Sequence, residues 1–142
     1  MEEERFTAES AEERREAQRE NRAGDLVIAA CLKVHTALGP GLLESAYEAC
    51  LAHELIARGL RVDRQLLLPI RYDGITLDAG YRIDLLVDEC VVVELKAIDA
   101  VLPVHVAQVI SYLKLGRFKL GYLLNFNVVR MRDGIKRLVN GL

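Results

Sequence analysis

No stretch of this 142-residue chain is apolar for long enough to span a bilayer. The N-terminus carries charge where a secretory leader would need an apolar centre. Cysteine is scarce: Cys31, Cys50 and Cys90 are odd in number and form no C-x-x-C motif. Cys31 and Cys50 fall in apolar helical patterns and read as core residues in a reducing compartment. These features together predict a cytoplasmic protein with no membrane partner. The chain also lacks internal repeats, a low-complexity segment and a Gly/Ser- or Pro-rich linker. Its formal net charge of −2 excludes a global polycation.

The residues present describe one folded unit. Hydrophobic residues make up 51% and charged residues 28%, and the length suits a single core. Charge is unevenly placed. Residues 1–24 hold eight Glu and five Arg, whereas Lys114 to Arg137 hold seven basic residues against Asp133 alone. Residues 1–23 have almost no apolar content and read as a charged extension, either a frayed helix or unstructured chain. Residues 24–142 read as the domain proper.

Within it, Leu26, Ile28, Ala29, Leu32, Val34 and Leu38 predict a helix from about Asp25 to Leu38, which Gly39-Pro40-Gly41 stops. A second helix runs from about Leu42 to Arg58, with Gly59 just past its end. Strands are expected at Arg61–Arg71, Ile75–Val87 and Val91–Ile98. A third helix, Pro103–Leu115, opens on proline. Lys119–Phe126 reads as a strand, and Asp133-Gly134 as the turn of a last hairpin.

The segment Gly80–Ile98, GYRIDLLVDECVVVELKAI, carries the most chemistry. Period-2 alternation puts Tyr81, Ile83, Leu85 and Val87 on one face and Arg82, Asp84 and Leu86 on the other. Glu94, Lys96, Val92 and Ile98 share a face on the next strand. If Asp88, Glu89 and Cys90 connect the strands, Val87 opposes Val91 and Asp84 opposes Glu94. Opposed Cβ atoms lie about 4.5–5.5 Å apart, and like charges there repel. Burying both carboxylates without a partner is costly. A divalent cation held by the two carboxylates and a substrate phosphate would relieve that cost. An ordinary ion pair of Glu94 with Lys96 or Arg82 on a solvated face is the plainer alternative; the VVV run before Glu94 argues against it by pointing to a strand buried on both faces.

Three further groups are placed to converge there. Glu44 and Tyr47, in Gly41-x-x-Glu44-x-x-Tyr47, share a helix face. His105, Gln108 and Tyr112 form one stripe of the third helix. Asn125 and Asn127 end the last long strand, where turn formation is the simplest account.

Asp84 followed by Glu94-x-Lys96, and then by a helix with Gln108-x-x-x-Tyr112, resembles the core of the PD-(D/E)xK nuclease superfamily. With Gly41-x-x-Glu44-x-x-Tyr47, RIDLLV and VVVELKA, the chain is similar to the GxxExxY family placed within it, over about Asp25 to Phe126. Ile83 stands where the superfamily name has Pro. The resemblance implies an α/β, restriction-endonuclease-like fold: a mixed central sheet flanked by helices, αβββαβ with an extra N-terminal helix. It further implies a Mg²⁺- or Mn²⁺-dependent nuclease acting on nucleic acid, with DNA the expected polymer. Asp84, Glu94, Glu44 and the Leu95 carbonyl would bind metal, and Lys96 would activate water and stabilise charge. Gln108, Tyr112 and Tyr47 would contact substrate. Two other readings stand beside this one: a binding module for nucleic acid or protein that keeps the fold without catalysis, and an assembly partner or homodimer docking through the N-terminal helix.

Overall fold

Five strands pair in chain order, β1 (Val62–Tyr72), β2 (Ile75–Val87), β3 (Val91–Lys96), β4 (Leu120–Asn125) and β5 (Ile135–Val139), in a computed structural model that describes residues 2–142 and side chains from Ser10 onward. The β3–β4 pair is parallel and the other pairs antiparallel. The parallel pair needs a crossover, which α3 (Pro103–Gly116) provides. Helices α1 (Glu2–Leu38) and α2 (Glu44–Ala57) precede the sheet. This is the expected mixed α/β architecture.

The sheet separates two cores. On one side α1 and α2 bury Val27, Cys31, Tyr47 and Leu51 against Leu85, Val87, Val93 and Leu95. On the other, Val109 and Leu113 of α3 meet Ile83, Leu86, Val92 and Leu123. With helices on both faces, β3 and β4 are almost wholly buried.

The α1 stripe Ala23, Val27, Ala30, Cys31 and Val34 follows helical spacing, and each member is buried. The expected helix start at Asp25 is incorrect: α1 runs unbroken through Gly24 from Glu2. Ala, Glu, Gln and Arg are strong helix formers, so the charged segment needs no apolar stripe to be helical. The side chains of residues 1–9 lie outside the described part. At Gly24 the helix crosses β4 so closely that a Cβ would sit 2.6 Å from the Tyr122 hydroxyl and 3.0 Å from Leu120. Glycine is what allows that approach.

Between α1 and α2, Gly39 and Gly41 take φ of +69° and +92°, a reversal that only glycine makes without strain. The expected hairpin around Asp133-Gly134 does not form. Met131–Gly134 is a 3-10 turn, and the segment after it pairs with β4, from Leu120↔Val139 to Leu124↔Ile135. Long-range pairing to an apolar strand prevails over the local turn signal.

Candidate active site

The β2–β3 connection has the expected length and register: Val87 opposes Val91, Leu86 opposes Val92 and Leu85 opposes Val93. Main-chain pairing stops there, one pair before Asp84 and Glu94. Side chains take over: the Asp84 N–H donates to Glu94 Oε1 at 3.0 Å, and the Leu95 N–H donates to Asp84 Oδ2 at 3.0 Å. Each carboxylate thus occupies the place of a ladder carbonyl on the opposite strand. Glu94 is tied to the Asp84 amide, and Asp84 to the amide of Leu95, the residue after Glu94.

The strands part because β2 reverses its faces at this point. Leu85 and Val87 point into the α1/α2 core, whereas Ile83 and Tyr81 join the α3 core beside Leu86. The expectation that Tyr81, Ile83, Leu85 and Val87 share one face is therefore incorrect. A matching irregularity lies on the neighbouring strand. Gln65 has φ +51°, and the pairings resume on its two sides as Arg64↔Leu85 and Leu66↔Ile83. Level with Asp84, both strands turn over together.

Glu94 is 4% exposed. Burial pushes its carboxyl up to about 8, and the Asp84 charge adds to the rise; the Asp84 N–H and Lys96 oppose it. Burial also raises the Glu44 carboxyl, followed by the charges of Asp84 and Glu48, with Lys96 opposing. Glu44 is thus near enough to Asp84 and Lys96 to feel their charges. Among the described residues, no three His, Cys, Asp or Glu side chains stand close enough to form a ready metal-ligand set. The close pair is Asp84 and Glu94, and Glu44 stands further off.

Tyr112 meets the pair from α3. Burial raises its hydroxyl pKa, with the Glu94 and Asp84 charges adding, while the nearby Gln108 side chain lowers it. Its ring stacks on Tyr81 at 4.9 Å. Of the sequence-derived group, Asp84 and Glu94 are in direct contact, Tyr112 and Glu44 lie near enough to feel their charges, and Lys96 follows Glu94 by two residues on β3. His105 does not join it: its Nδ1 accepts the Leu102 N–H at 2.9 Å and caps the start of α3.

Tyr47 also departs from expectation. It is fully buried and stacks on Phe126 at 4.5 Å. Its hydroxyl donates to the Gly39 carbonyl at 2.6 Å and accepts the Leu42 N–H at 3.1 Å. A side chain closed over in this way meets no substrate. In Gly41-x-x-Glu44-x-x-Tyr47 the glycine makes the turn, the tyrosine pins it, and Glu44 is presented at the first position of α2.

Three positions escape the sequence reading, and a fourth reads in the sequence only as a strand end. Glu48, 7% exposed, receives Arg64 Nε at 3.2 Å and Nη2 at 2.9 Å on one oxygen. Its other oxygen accepts from Gln65 Nε2, which also donates to Asp84 Oδ1 at 3.3 Å. Arg64, Gln65 and Glu48 carry no motif, so no spacing reveals them. The fourth is Asn125, buried and opposite Lys96 in the β3–β4 register. Its amide accepts the Ile98 N–H at 3.1 Å and donates to the Ile98 carbonyl at 2.9 Å, fixing the chain as it leaves Lys96. Its strand-end position is visible in sequence, but its partner is not.

The donor set fits a hard divalent cation. Two carboxylates lie together, one buried and pushed towards its neutral form, and each oxygen has a lone pair beyond its hydrogen bond. No helix among the described residues is long and apolar enough to cross a membrane. Comparison with curated proteins and with solved structures gives no match. The profile of one protein family does match, over residues 21–138, and those residues carry both cores and the Asp84/Glu94 pair. This chain belongs to the PD-(D/E)XK nuclease superfamily.

Proposed function

We propose that the protein is a Mg²⁺- or Mn²⁺-dependent nuclease that hydrolyses phosphodiester bonds in nucleic acid, with DNA as polymer, and that within the superfamily it falls in the GxxExxY family. The observation that carries this reading is the Asp84/Glu94 pair. Glu94 accepts the Asp84 N–H and Asp84 accepts the Leu95 N–H, so two acids stand together in a mostly buried position; burial is the main cause that raises the Glu94 carboxyl, and the Asp84 charge adds to it. A structural pair would be better served by one acid and one base.

When bound, the cation supplies Lewis acidity towards the phosphate and lowers the pKa of a coordinated water. Asp84 and Glu94 would hold it, with the Leu95 carbonyl as a third oxygen and Glu44 through an intervening water. Among the described residues no third His, Cys, Asp or Glu joins the pair, which leaves coordination positions for phosphate oxygens. Lys96, two residues beyond Glu94 and two before Ile98, which Asn125 fixes, would orient the attacking water and offset charge gathering on the phosphate oxygens. Tyr112 and Gln108 would contact the substrate backbone from α3.

The test is a cleavage panel of supercoiled plasmid, linear duplex, single strand and branched DNA, with RNA alongside, in Mg²⁺, Mn²⁺ or chelator. Metal-dependent cleavage by the wild type and its loss in Lys96→Ala, with Mn²⁺ binding retained, support the proposal. Cleavage that persists in Lys96→Ala would assign the activity to another site or a contaminant. Nucleic-acid binding without cleavage in any metal would favour a non-catalytic module.

A further inference from the structure

Gln65 is out of character for its place. It lies within a strand, is exposed, is neither glycine nor asparagine, and has a left-handed backbone with φ +51°. A non-glycine residue in that region is disfavoured and persists where its surroundings fix it. What the conformation achieves is visible in its contacts. Nε2 of Gln65 stands between two carboxylates and donates to both, Glu48 Oε1 and Asp84 Oδ1. Glu48 is itself fixed, buried in α2 and gripped by the Arg64 guanidinium.

We propose that Gln65 is the positioning residue of the site: anchored on Glu48, it sets the rotation of the Asp84 carboxylate. Without it Asp84 keeps one described side-chain hydrogen bond, from the Leu95 N–H, and one bond does not stop a carboxylate turning. With it, each oxygen has its own donor and the remaining lone pairs have a defined direction. Such partners behind a metal-binding carboxylate typically change metal affinity by about 10- to 100-fold. The left-handed residue also stands level with Asp84, where β1 and β2 both change faces. The consequence for metal rests on the nuclease reading; the consequence for Asp84 does not.

The test uses the full chain with Gln65→Gly, which accepts the backbone conformation freely, and Gln65→Asn, which tolerates it but is one methylene short of Asp84. Amide hydrogen exchange is followed without metal, and Mn²⁺ affinity and kcat are measured separately. The proposal expects an unchanged or higher melting temperature in both variants. It expects Leu95 N–H exchange at least about tenfold faster with Val93 unaltered, Mn²⁺ affinity weakened by about 10- to 100-fold, and kcat reduced. Unchanged Leu95 exchange and Mn²⁺ affinity would overturn it, because Asp84 would then be set without Gln65. Uniformly faster exchange with a lower melting temperature would overturn it too, since Gln65 would then be an ordinary element of stability. If the wild type neither binds Mn²⁺ nor cleaves, the nuclease reading fails, while selective exposure of the Leu95 amide still supports the positioning role.

Discussion

At the scale of single residues, Glu94 is the group whose chemistry is most altered by the fold. Its carboxyl titrates near 8 in the folded protein, against an ordinary value of 4.5. The folded state holds this proton more tightly than the unfolded chain. Below pH 4.5 both states are protonated and nothing is lost. Between 4.5 and about 8 the unfolded chain ionises first, so the folded state loses stability as pH rises. In chelator, the stability difference between Glu94→Gln and the wild type should therefore grow from pH 5 to pH 8.5, reaching on the order of a few kcal/mol. Glutamine keeps an oxygen to accept the Asp84 N–H, so the variant removes the charge and leaves the contact. Urea unfolding at the two pH values measures this; a flat difference would mean that Glu94 ionises without penalty. Tyr47 makes the opposite case, a motif residue with a structural task. Tyr47→Phe loses both hydroxyl bonds and should cost about 1–2 kcal/mol by urea titration, with Mn²⁺ affinity within twofold of wild type. A large loss of affinity at unchanged stability would return Tyr47 to the binding site.

At the scale of elements, the packing of α1 on β4 depends on a missing side chain. Gly24→Ala puts a Cβ 2.6 Å from the hydroxyl of Tyr122, a buried ring with little room to move. Overpacking of this kind costs about 1–3 kcal/mol. Adding Tyr122→Phe should restore part of the loss, because the clashing atom is that hydroxyl. Urea unfolding of the two single variants and the double variant measures the coupling; strict additivity would show that the helix does not approach the strand here. Element order was legible in the chain, and so was the β2–β3 register, because VVV and RIDLLV flank a connection short enough to admit few pairings. The reversal of faces at Asp84 was not legible. Period-2 reading assumes a regular strand, and the matching left-handed residue, Gln65, lies on a different strand and is of a type with no turn preference. The start of α1 was missed for another reason: hydrophobic periodicity reports buried faces, and a helix stabilised by propensity and charge shows none.

At the scale of the whole molecule, the fold brings β2, β3, α2 and α3 together at the point where the main-chain ladder opens. The acids and Lys96 were legible as candidates because charge inside an apolar strand is conspicuous. The residues that hold them, Gln65, Glu48, Arg64 and Asn125, were not, because they look like ordinary polar residues until their partners are known. The central claim is that the Asp84/Glu94 pair is kept for a divalent cation. It is tested most directly by thermal melting of wild type and Asp84→Asn with and without millimolar Mn²⁺. A ligand that binds only the folded state adds RT ln(1 + [L]/Kd), about 2.7 kcal/mol at a hundred times Kd. The wild type should melt several degrees higher with Mn²⁺, whereas Asp84→Asn should melt no lower than wild type in chelator and show no shift with metal. No shift in the wild type, together with marked destabilisation of metal-free Asp84→Asn, would contradict the claim and make Asp84 a structural group.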